Sequence, residues 1–333
     1  VIGQHFPYTP IANPSYLVDG WSFGIRPETI QKNISKAKKN GAEVVVLLSH
    51  NGFDVDQKLA SILDNVDVIL TGHTHDAIPR AIKIKKTLLL SSGSHGKYLG
   101  RIDLKIDNGK VVDFSSNLIP IFSDVIQPDP EMARLIDKIR EPYEEECNRV
   151  VGEAETLLYR RGNFGGPWDS VICDAIIQER DTEISLSPGF RWGTTLLPGQ
   201  KITIDDIYSQ TSMNYPEVYR TEMNGETIKN LLEDVCDNIF NPDPFFQQGG
   251  DMVRVGGMTY TCQPKETMGN RISDLKLSNG EKIESQKNYT IGGWGSINPE
   301  VKGPPIYKLL EDYVSGEKII KPKQKNPVKV KGI

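Results

Sequence analysis

The 333-residue sequence has little cysteine, few histidines and no long apolar run, and each scarcity excludes a class of protein. Its four cysteines form no C-x-x-C motif, which argues against zinc-ribbon chemistry and favours buried packing. Their spacing does not specify a disulfide. No apolar run approaches the roughly 18 residues that a membrane span needs. The formal net charge of −5 argues against a general nucleic-acid binder, and the length suggests two domains.

Histidine is confined to the N-terminal part of the chain. The five histidines are His5, His50, His73, His75 and His95. Two apolar runs, Val44–Leu48 and Val66–Leu70, lack polar alternation, which is typical of strands buried on both faces of a parallel sheet. Between them, Asp54–Leu63 has apolar residues at helical spacing. The sequence therefore predicts a strand–helix–strand unit.

Each of these two strands is followed by histidine. His50 follows the first, and His73 and His75 follow the second in the block GHTH. Because the carboxyl ends of parallel strands form the ligand crevice of an open sheet, we expect the three imidazoles to converge. Imidazole is the commonest protein ligand of divalent transition metals. Gly72 lets the backbone leave strand geometry, so His73 and His75 can serve two different ions.

The remaining pattern predicts further elements and a domain boundary. We expect a helix over Pro27–Gly41, strands within Ala81–Leu90 and over Arg101–Ile106, and a hairpin turn at Asn108-Gly109. A charged helix over Pro128–Arg149 is interrupted at Pro142. We interpret residues 1–126 as one domain, 127–149 as a linker helix and 150–333 as a second domain.

The segments SHNGFDVDQKLA and VDVILTGHTHD resemble the second half of a calcineurin-like metallophosphoesterase domain of the 5′-nucleotidase type. The resemblance implies an α/β (α+β) fold. It would comprise the C-terminal half of a metallophosphoesterase β-sandwich domain flanked by helices, and a 5′-nucleotidase-type C-terminal α/β substrate domain. It also implies that His50 and His73 bind one metal and that His75 binds the other.

The early blocks of that family are Asp-x-His, Gly-Asp and Gly-Asn-His-Glu, and none of them precedes His50 in this sequence. Val1-Ile2-Gly3 is typical of the end of a strand. We therefore expect that a substantial N-terminal portion is missing, together with the other metal ligands and a catalytic histidine. On this interpretation the chain alone does not hold two metals or turn over substrate.

A narrower resemblance covers nearly the whole chain. HFPYTPIANP, SSGSHGKYLG, RGNFGGPWDS, SPGFRWGTTLLPGQ and GGDMVRVGG are similar to segments of the SoxB thiosulfohydrolases of bacterial sulfur oxidation. Membership would imply a periplasmic hydrolase with two Mn²⁺ ions. It would release sulfate from the cysteine S-thiosulfonate carried by the protein SoxYZ.

The resemblance also suggests substrate-binding residues in the second domain. Arg191 occupies the position of an arginine that binds the anionic end of the substrate, and a guanidinium suits a tetrahedral oxyanion. We expect Trp192, Asp251 and Arg254 to line the same channel, together with Trp294, which we take as an exposed aromatic in a glycine loop. His95 either supports a metal ligand or contacts substrate, or it is a plain turn residue.

Two alternatives remain open from the sequence. The first is a 5′-nucleotidase or 2′,3′-cyclic phosphodiesterase with the same metals. Nucleotidases, however, carry N-G-G-G-I/V-R where this chain has SPGFRWG, and their pair of base-stacking aromatics is not evident here. The second is a metal-free binding protein of the same fold.

Overall fold

The computed structural model describes residues 1–190, 193–213, 215–298, 300–323 and 326–332. The chain divides into two compact units. The first unit comprises Val1–Pro130 and Asn241–Gly249, and the second comprises Glu131–Phe240 and Gly250–Ile333. The three-part division expected from the sequence stays a prediction. Among the described residues, no helix combines the length and the apolar character that a membrane crossing requires.

The first unit is built on a mixed sheet. Its strands are β1 (Ile2–Gln4), β2 (Val46–Ser49), β3 (Val68–Thr71), β4 (Ile82–Ile84), β5 (Thr87–Ser91), β6 (Tyr98–Asp107) and β7 (Lys110–Pro120), and its helices are α1 (Thr9–Ala12), α2 (Pro27–Lys39) and α3 (Phe53–Ile62). The sheet has the order β1-β2-β3-β5-β4, in which β4 alone runs antiparallel to its neighbour. This confirms the predicted strand–helix–strand unit and the predicted helix α2.

The core of this unit lies between one face of the sheet and the helices α2 and α3. Ile34 of α2 and Leu59 of α3 are completely buried against Leu47, Ile69 and Leu89 of the central strands. Burying one such side chain contributes roughly 1.5–3 kcal/mol. The apolar runs read from the sequence therefore hold the strand ends of the candidate site in place.

The hairpin of β6 and β7 turns at Asn108-Gly109, as predicted, and covers part of the other sheet face. Its side chains, Leu104 among them, pack against the cluster that contains Val68 and Leu90. The hairpin does not cover Leu48 of β2, whose side chain is 55% exposed. The prediction of burial on both faces is therefore wrong for β2 at this residue, because the packed side chains of the hairpin lie over β3 and β5.

The second unit contains the remaining elements. Its helices are α4 (Pro130–Arg140, which begins at the boundary), α5 (Glu144–Cys147), α6 (Pro167–Arg180), α7 (Ile204–Thr211), α8 (Gly225–Phe240) and α9 (Ile306–Glu317). Its strands are β8 (Val150–Ala154), β9 (Ile184–Ser187), β10 (Lys201–Thr203), β11 (Val218–Asn224), β12 (Arg254–Gly256), β13 (Met258–Cys262), β14 (Ile272–Leu277), β15 (Asn288–Trp294), β16 (Ile319–Ile320) and β17 (Val328–Val330). They form sheets of order β11-β15-β9-β12, β10-β8-β16 and β14-β13-β17 within the described residues.

The glycines before Trp294 belong to a strand and not to the loop expected from the sequence. Strand β15 lies between β11 and β9. A Cβ atom on Gly292 would lie 2.5 Å from Ile176 Cγ2 of α6, and one on Gly293 would collide with the hydroxyl of Tyr219. The glycines therefore permit close packing inside the sheet.

Candidate metal centre

Two histidines meet at the carboxyl ends of β2 and β3. The strands are parallel and adjacent, with Ser49 opposite Thr71, so the residues that follow them leave the sheet at the same edge. The ring centroids of His50 and His73 lie 5.3 Å apart. Gly72 makes this approach possible, because a Cβ atom at Gly72 would lie 3.2 Å from Nδ1 of His50.

The loop after β3 brings a second pair of imidazoles together. His73 and His75 both have positive φ angles, 76° and 60°, which turn their side chains out of strand alternation. The ring of His75 lies 5.9 Å from that of His95, which follows β5. Between the two histidines, the hydroxyl oxygen of Thr74 accepts a hydrogen bond from the amide of Phe53, at 3.1 Å. This bond attaches the loop to the start of α3.

Phe6 is a site residue that the sequence analysis missed. It follows β1, the edge strand beside β2, and its ring stacks on His73 with a centroid distance of 4.2 Å and an interplanar angle of 28°. It also meets His50 edge-on at 6.3 Å. The signal available in the sequence was position alone, since Phe6 follows a strand end in the same way as His50 does.

A buried carboxylate fixes the end of β2 on both sides of His50. Asp56 of α3 has no exposed surface, and its Oδ1 accepts hydrogen bonds from Ser49 Oγ at 2.8 Å and Asn51 Nδ2 at 3.1 Å. Burial raises the pKa of Asp56 to about 6, and the hydrogen bonds from Ser49 and Asn51 oppose that rise. The residues on either side of His50 thus share one buried partner.

The electrostatic surroundings favour neutral imidazole at His50. Partial burial lowers the pKa of His50, and the positive charge of a protonated His5 lowers it further. A metal ligand must be deprotonated, so this shift favours the form that binds a metal.

The first unit includes one segment from far along the chain, Asn241–Gly249, which we call the anchor segment. The hydroxyl of Tyr8 donates to the carbonyl oxygen of Phe245 at 2.6 Å. Lys58 of α3 pairs with Asp243 at 2.5 Å, and its ammonium lies 4.0 Å from the centroid of the Phe245 ring. The segment is therefore attached both to the loop after β1 and to α3.

The anchor segment ends against His73. Nε2 of His73 lies 3.0 Å from the carbonyl oxygen of Gln248, and since a carbonyl only accepts, the imidazole donates through Nε2. In the neutral ring, Nδ1 is then the acceptor nitrogen. A Cβ atom on Gly249 would lie 2.7 Å from both Cδ2 and Nε2 of the same ring, so only glycine fits there. No local pattern in the sequence indicates this contact, which spans 175 residues.

The donor set suits a divalent transition metal, but it is not a full one. A ligating histidine typically donates its other ring N–H to a carbonyl or carboxylate, which is the arrangement of His73. Among the described residues, however, no group of three or more histidine, cysteine or acidic side chains lies close enough to hold a metal ion. The chain thus supplies paired imidazoles that fit part of a metal site.

The predicted substrate residues of the second unit have mixed placements. Arg191 and Trp192 lie outside the described residues. Trp294 is only 3% exposed, and its indole N–H donates to Ser187 Oγ at 2.8 Å, so the expectation of an exposed aromatic is wrong. The residue ends strand β15 and packs in the core of this unit, where its polar atom has a partner.

Asp251 and Arg254 form a buried ion pair, and their place along a substrate channel stays a prediction. Arg254 Nη2 lies 2.7 Å from Asp251 Oδ2, and both side chains are almost wholly buried. Arg254 also lies 3.5 Å from Asp169, whose other oxygen accepts from Arg160 at 2.8 Å. Buried charges require such partners, so the network explains why these residues lie inside the unit. The sequence analysis did not single out Arg160 or Asp169.

Comparison with known proteins identifies a domain in the second half of the chain. The family described as 5′-nucleotidase, C-terminal domain, matches residues 150–295. The trifunctional nucleotide phosphoesterase YfkN of Bacillus subtilis (strain 168) is 26% identical over 272 residues, which are 77% of this chain and 18% of that protein. The uncharacterized metallophosphoesterase YunD of the same organism is 33% identical over 107 residues, which cover 32% of this chain and 22% of that protein.

Two solved structures extend the likeness to the fold. The sulfate thiohydrolase SoxB of Thermus thermophilus is 33% identical, with a TM-score of 0.95 over 99% of this chain and 62% of that one. A 5′-nucleotidase precursor, also from Thermus thermophilus, shares the fold at 18% identity, with a TM-score of 0.76 over 94% of this chain and 68% of that one. The chain thus spans less than two thirds of YfkN and of SoxB. The domain match, the shared fold and the sequence identity agree that the chain is a SoxB-like member of the 5′-nucleotidase family.

Proposed function

We propose that the chain belongs to a two-metal hydrolase of the thiosulfohydrolase type, which releases sulfate from a cysteine S-thiosulfonate. The observation that carries the proposal is the likeness to SoxB, at 33% identity and a TM-score of 0.95 over 99% of the chain. The paired imidazoles at the strand ends support it, because a metal-dependent hydrolase needs such donors there. The periplasm as location and SoxYZ as the carrier of the substrate belong to the same proposal.

In this proposal His50 and His73 bind one Mn²⁺ and His75 binds the other. Such ions would supply Lewis-acid chemistry and would lower the pKa of a bound water molecule. The chain's own residues fix the geometry of the donors. The Gln248 carbonyl holds the tautomer of His73, and the Asp56 carboxyl group holds Ser49, at the end of β2, and Asn51. His95 stands beside His75, where it can contact an oxygen of the substrate or hold the ring of His75.

The substrate side of the proposal rests on Arg191. A sulfonate, like a phosphate, is a tetrahedral oxyanion, and an arginine fork donates two charged hydrogen bonds to its oxygens. We assign Trp192, the next residue in the sequence, to the same channel. The buried Asp251–Arg254 pair and Trp294 contribute through the packing of the second unit, as their burial requires.

The deciding experiment compares two products. The full-length protein that contains this chain is supplied with Mn²⁺ and given the thiosulfonate-bearing carrier in one assay and AMP in another, and released sulfate and phosphate are measured. We expect sulfate. Arg191→Ala should lower kcat/KM by at least about 100-fold, since a charge-assisted pair of hydrogen bonds is worth roughly 3 kcal/mol. Unchanged kinetics in this variant would remove Arg191 from the proposal.

The domain match to 5′-nucleotidases favours one alternative, a nucleotidase or 2′,3′-cyclic phosphodiesterase. Phosphate release from AMP without sulfate release would establish that alternative. A protein that binds no metal and releases neither product would be a binding protein of the same fold. The metal content of the protein distinguishes a hydrolase from a metal-free binding protein. His50→Ala should lose bound metal. His5→Ala, the matched control at the same sheet edge, should keep it.

A further inference from the structure

Two of the four cysteines meet inside the second unit. Cys236 lies on α8 and Cys262 ends β13, and neither has any exposed surface. Their Sγ atoms are 3.6 Å apart. A disulfide requires about 2.05 Å between the sulfurs, so the two side chains need to approach by only about 1.5 Å. The other two cysteines are Cys173, which is buried on α6, and Cys147, which is only partly buried.

The position of the pair in the chain gives a disulfide a consequence. Residues 237–261 lie between the two cysteines, and this stretch contains the anchor segment Asn241–Gly249. A bond between Cys236 and Cys262 would therefore close a ring through the segment that holds His73. Closing such a ring restricts the conformations available when the segment leaves its place.

We propose that Cys236 and Cys262 are a disulfide-forming pair that closes the base of the anchor segment. The reaction is thiol–disulfide exchange with a disulfide oxidant. One protein thiolate attacks the oxidant and releases its first thiol, and the second protein thiol then displaces the other half as a second thiol. Two protein thiols and one small disulfide thus give one protein disulfide and two small thiols. The periplasm, the location proposed above, is an oxidising compartment that favours this product.

The test uses oxidised glutathione on the reduced, folded protein. Samples are quenched in acid over time, unfolded, alkylated with N-ethylmaleimide and digested for mass spectrometry. We expect two of the four thiols to disappear and one linked peptide to appear, containing Cys236 and Cys262, about 2 Da lighter than the sum of the two reduced peptides. Cys173→Ala, a buried cysteine of the same unit, should leave the link unchanged, and Cys262→Ala should abolish it.

A parallel sample makes a negative result decisive. Folded protein treated with N-ethylmaleimide alone reports how fast local opening exposes the two buried thiols. If Cys236 and Cys262 are alkylated there, yet all four thiols stay reduced in glutathione over the same period, the pair is packing only and the proposal fails. A link that joins any other two cysteines overturns it as well. Neither outcome bears on the proposed hydrolase activity, which depends on different residues.

Discussion

Substitution of Gly249 by alanine is the most direct test of how the candidate metal centre is held. The new Cβ would lie 2.7 Å from both Cδ2 and Nε2 of His73, closer than real Cβ contacts allow. Either the imidazole or the anchor segment must move. In both cases the hydrogen bond from His73 Nε2 to the Gln248 carbonyl lengthens or breaks.

The neighbouring glycine is a matched control. Gly249 and Gly250 have φ angles of 75° and 84°, so alanine strains the backbone at both by a similar amount, about 1 kcal/mol. A Cβ on Gly250, however, meets nothing within 4 Å. The difference between the two variants therefore measures the contact with His73. Loss of an outer-shell partner typically weakens metal binding 10–100-fold, so Gly249→Ala should cost about 1.4–2.7 kcal/mol of metal affinity beyond Gly250→Ala.

Two measurements check this prediction. Imidazole ¹⁵N shifts of the metal-free protein report the tautomer, and with only five histidines the signal of His73 can be assigned by substitution. We expect the Nε2–H form in the parent and in Gly250→Ala, and a mixture of tautomers in Gly249→Ala. Metal affinity by titration calorimetry should follow the same order. Identical tautomers and affinities in the two variants would refute the role that we give to the Gln248 carbonyl.

Three further predictions concern the second unit, and each is checked by chemical denaturation. Burial raises the pKa of Asp174 to about 6 from 3.8, so the folded state binds its proton more tightly; the free energy of unfolding should fall by about 2 kcal/mol as pH rises from 4 to 6, and Asp174→Asn should lack that fall. Asp169→Asn leaves the charge of buried arginines uncompensated, so it should lower the free energy of unfolding by about 3–5 kcal/mol at pH 7. A decrease below about 1 kcal/mol would contradict the buried network. Gly292→Ala should lower the free energy of unfolding by about 1–3 kcal/mol, because its Cβ clashes with Ile176. Gly316→Ala, whose Cβ would meet nothing within 4 Å, should be neutral or stabilising.

The strands and the histidines of the first unit were predictable because their signals are local. An apolar run without alternation indicates a buried strand, and a parallel strand order brings the carboxyl ends of β2 and β3 to one edge. The expected convergence of three imidazoles is confirmed for His50 and His73, whereas the ring of His75 meets that of His95. Which ion each histidine binds does not follow from it and stays a prediction.

The placements that the sequence did not predict depend on contacts distant along the chain. GGW has the composition of a loop, but Gly292 and Gly293 lack side chains because α6 and Tyr219 occupy that space. Trp294 is buried for the same reason. Arg254 was expected to line the substrate channel, and its ionic partners were not predicted because one of them, Asp169, lies 85 residues earlier in the sequence. Periodicity carries no information about such pairings.

The anchor segment also explains how the histidine loop keeps an unfavourable backbone. A non-glycine residue in the left-handed region costs roughly 1–2 kcal/mol, so His73 and His75 together carry about 2–4 kcal/mol of strain. The stacking of Phe6 on His73 and the hydrogen bond to the Gln248 carbonyl each contribute roughly 0.5–1.5 kcal/mol, and the bond from the Phe53 amide to Thr74 adds a similar amount. These contributions nearly offset the strain only when all three are present. The imidazoles are therefore held by residues from three separate parts of the sequence, and loss of the anchor segment alone should let the loop relax away from the geometry that suits a metal.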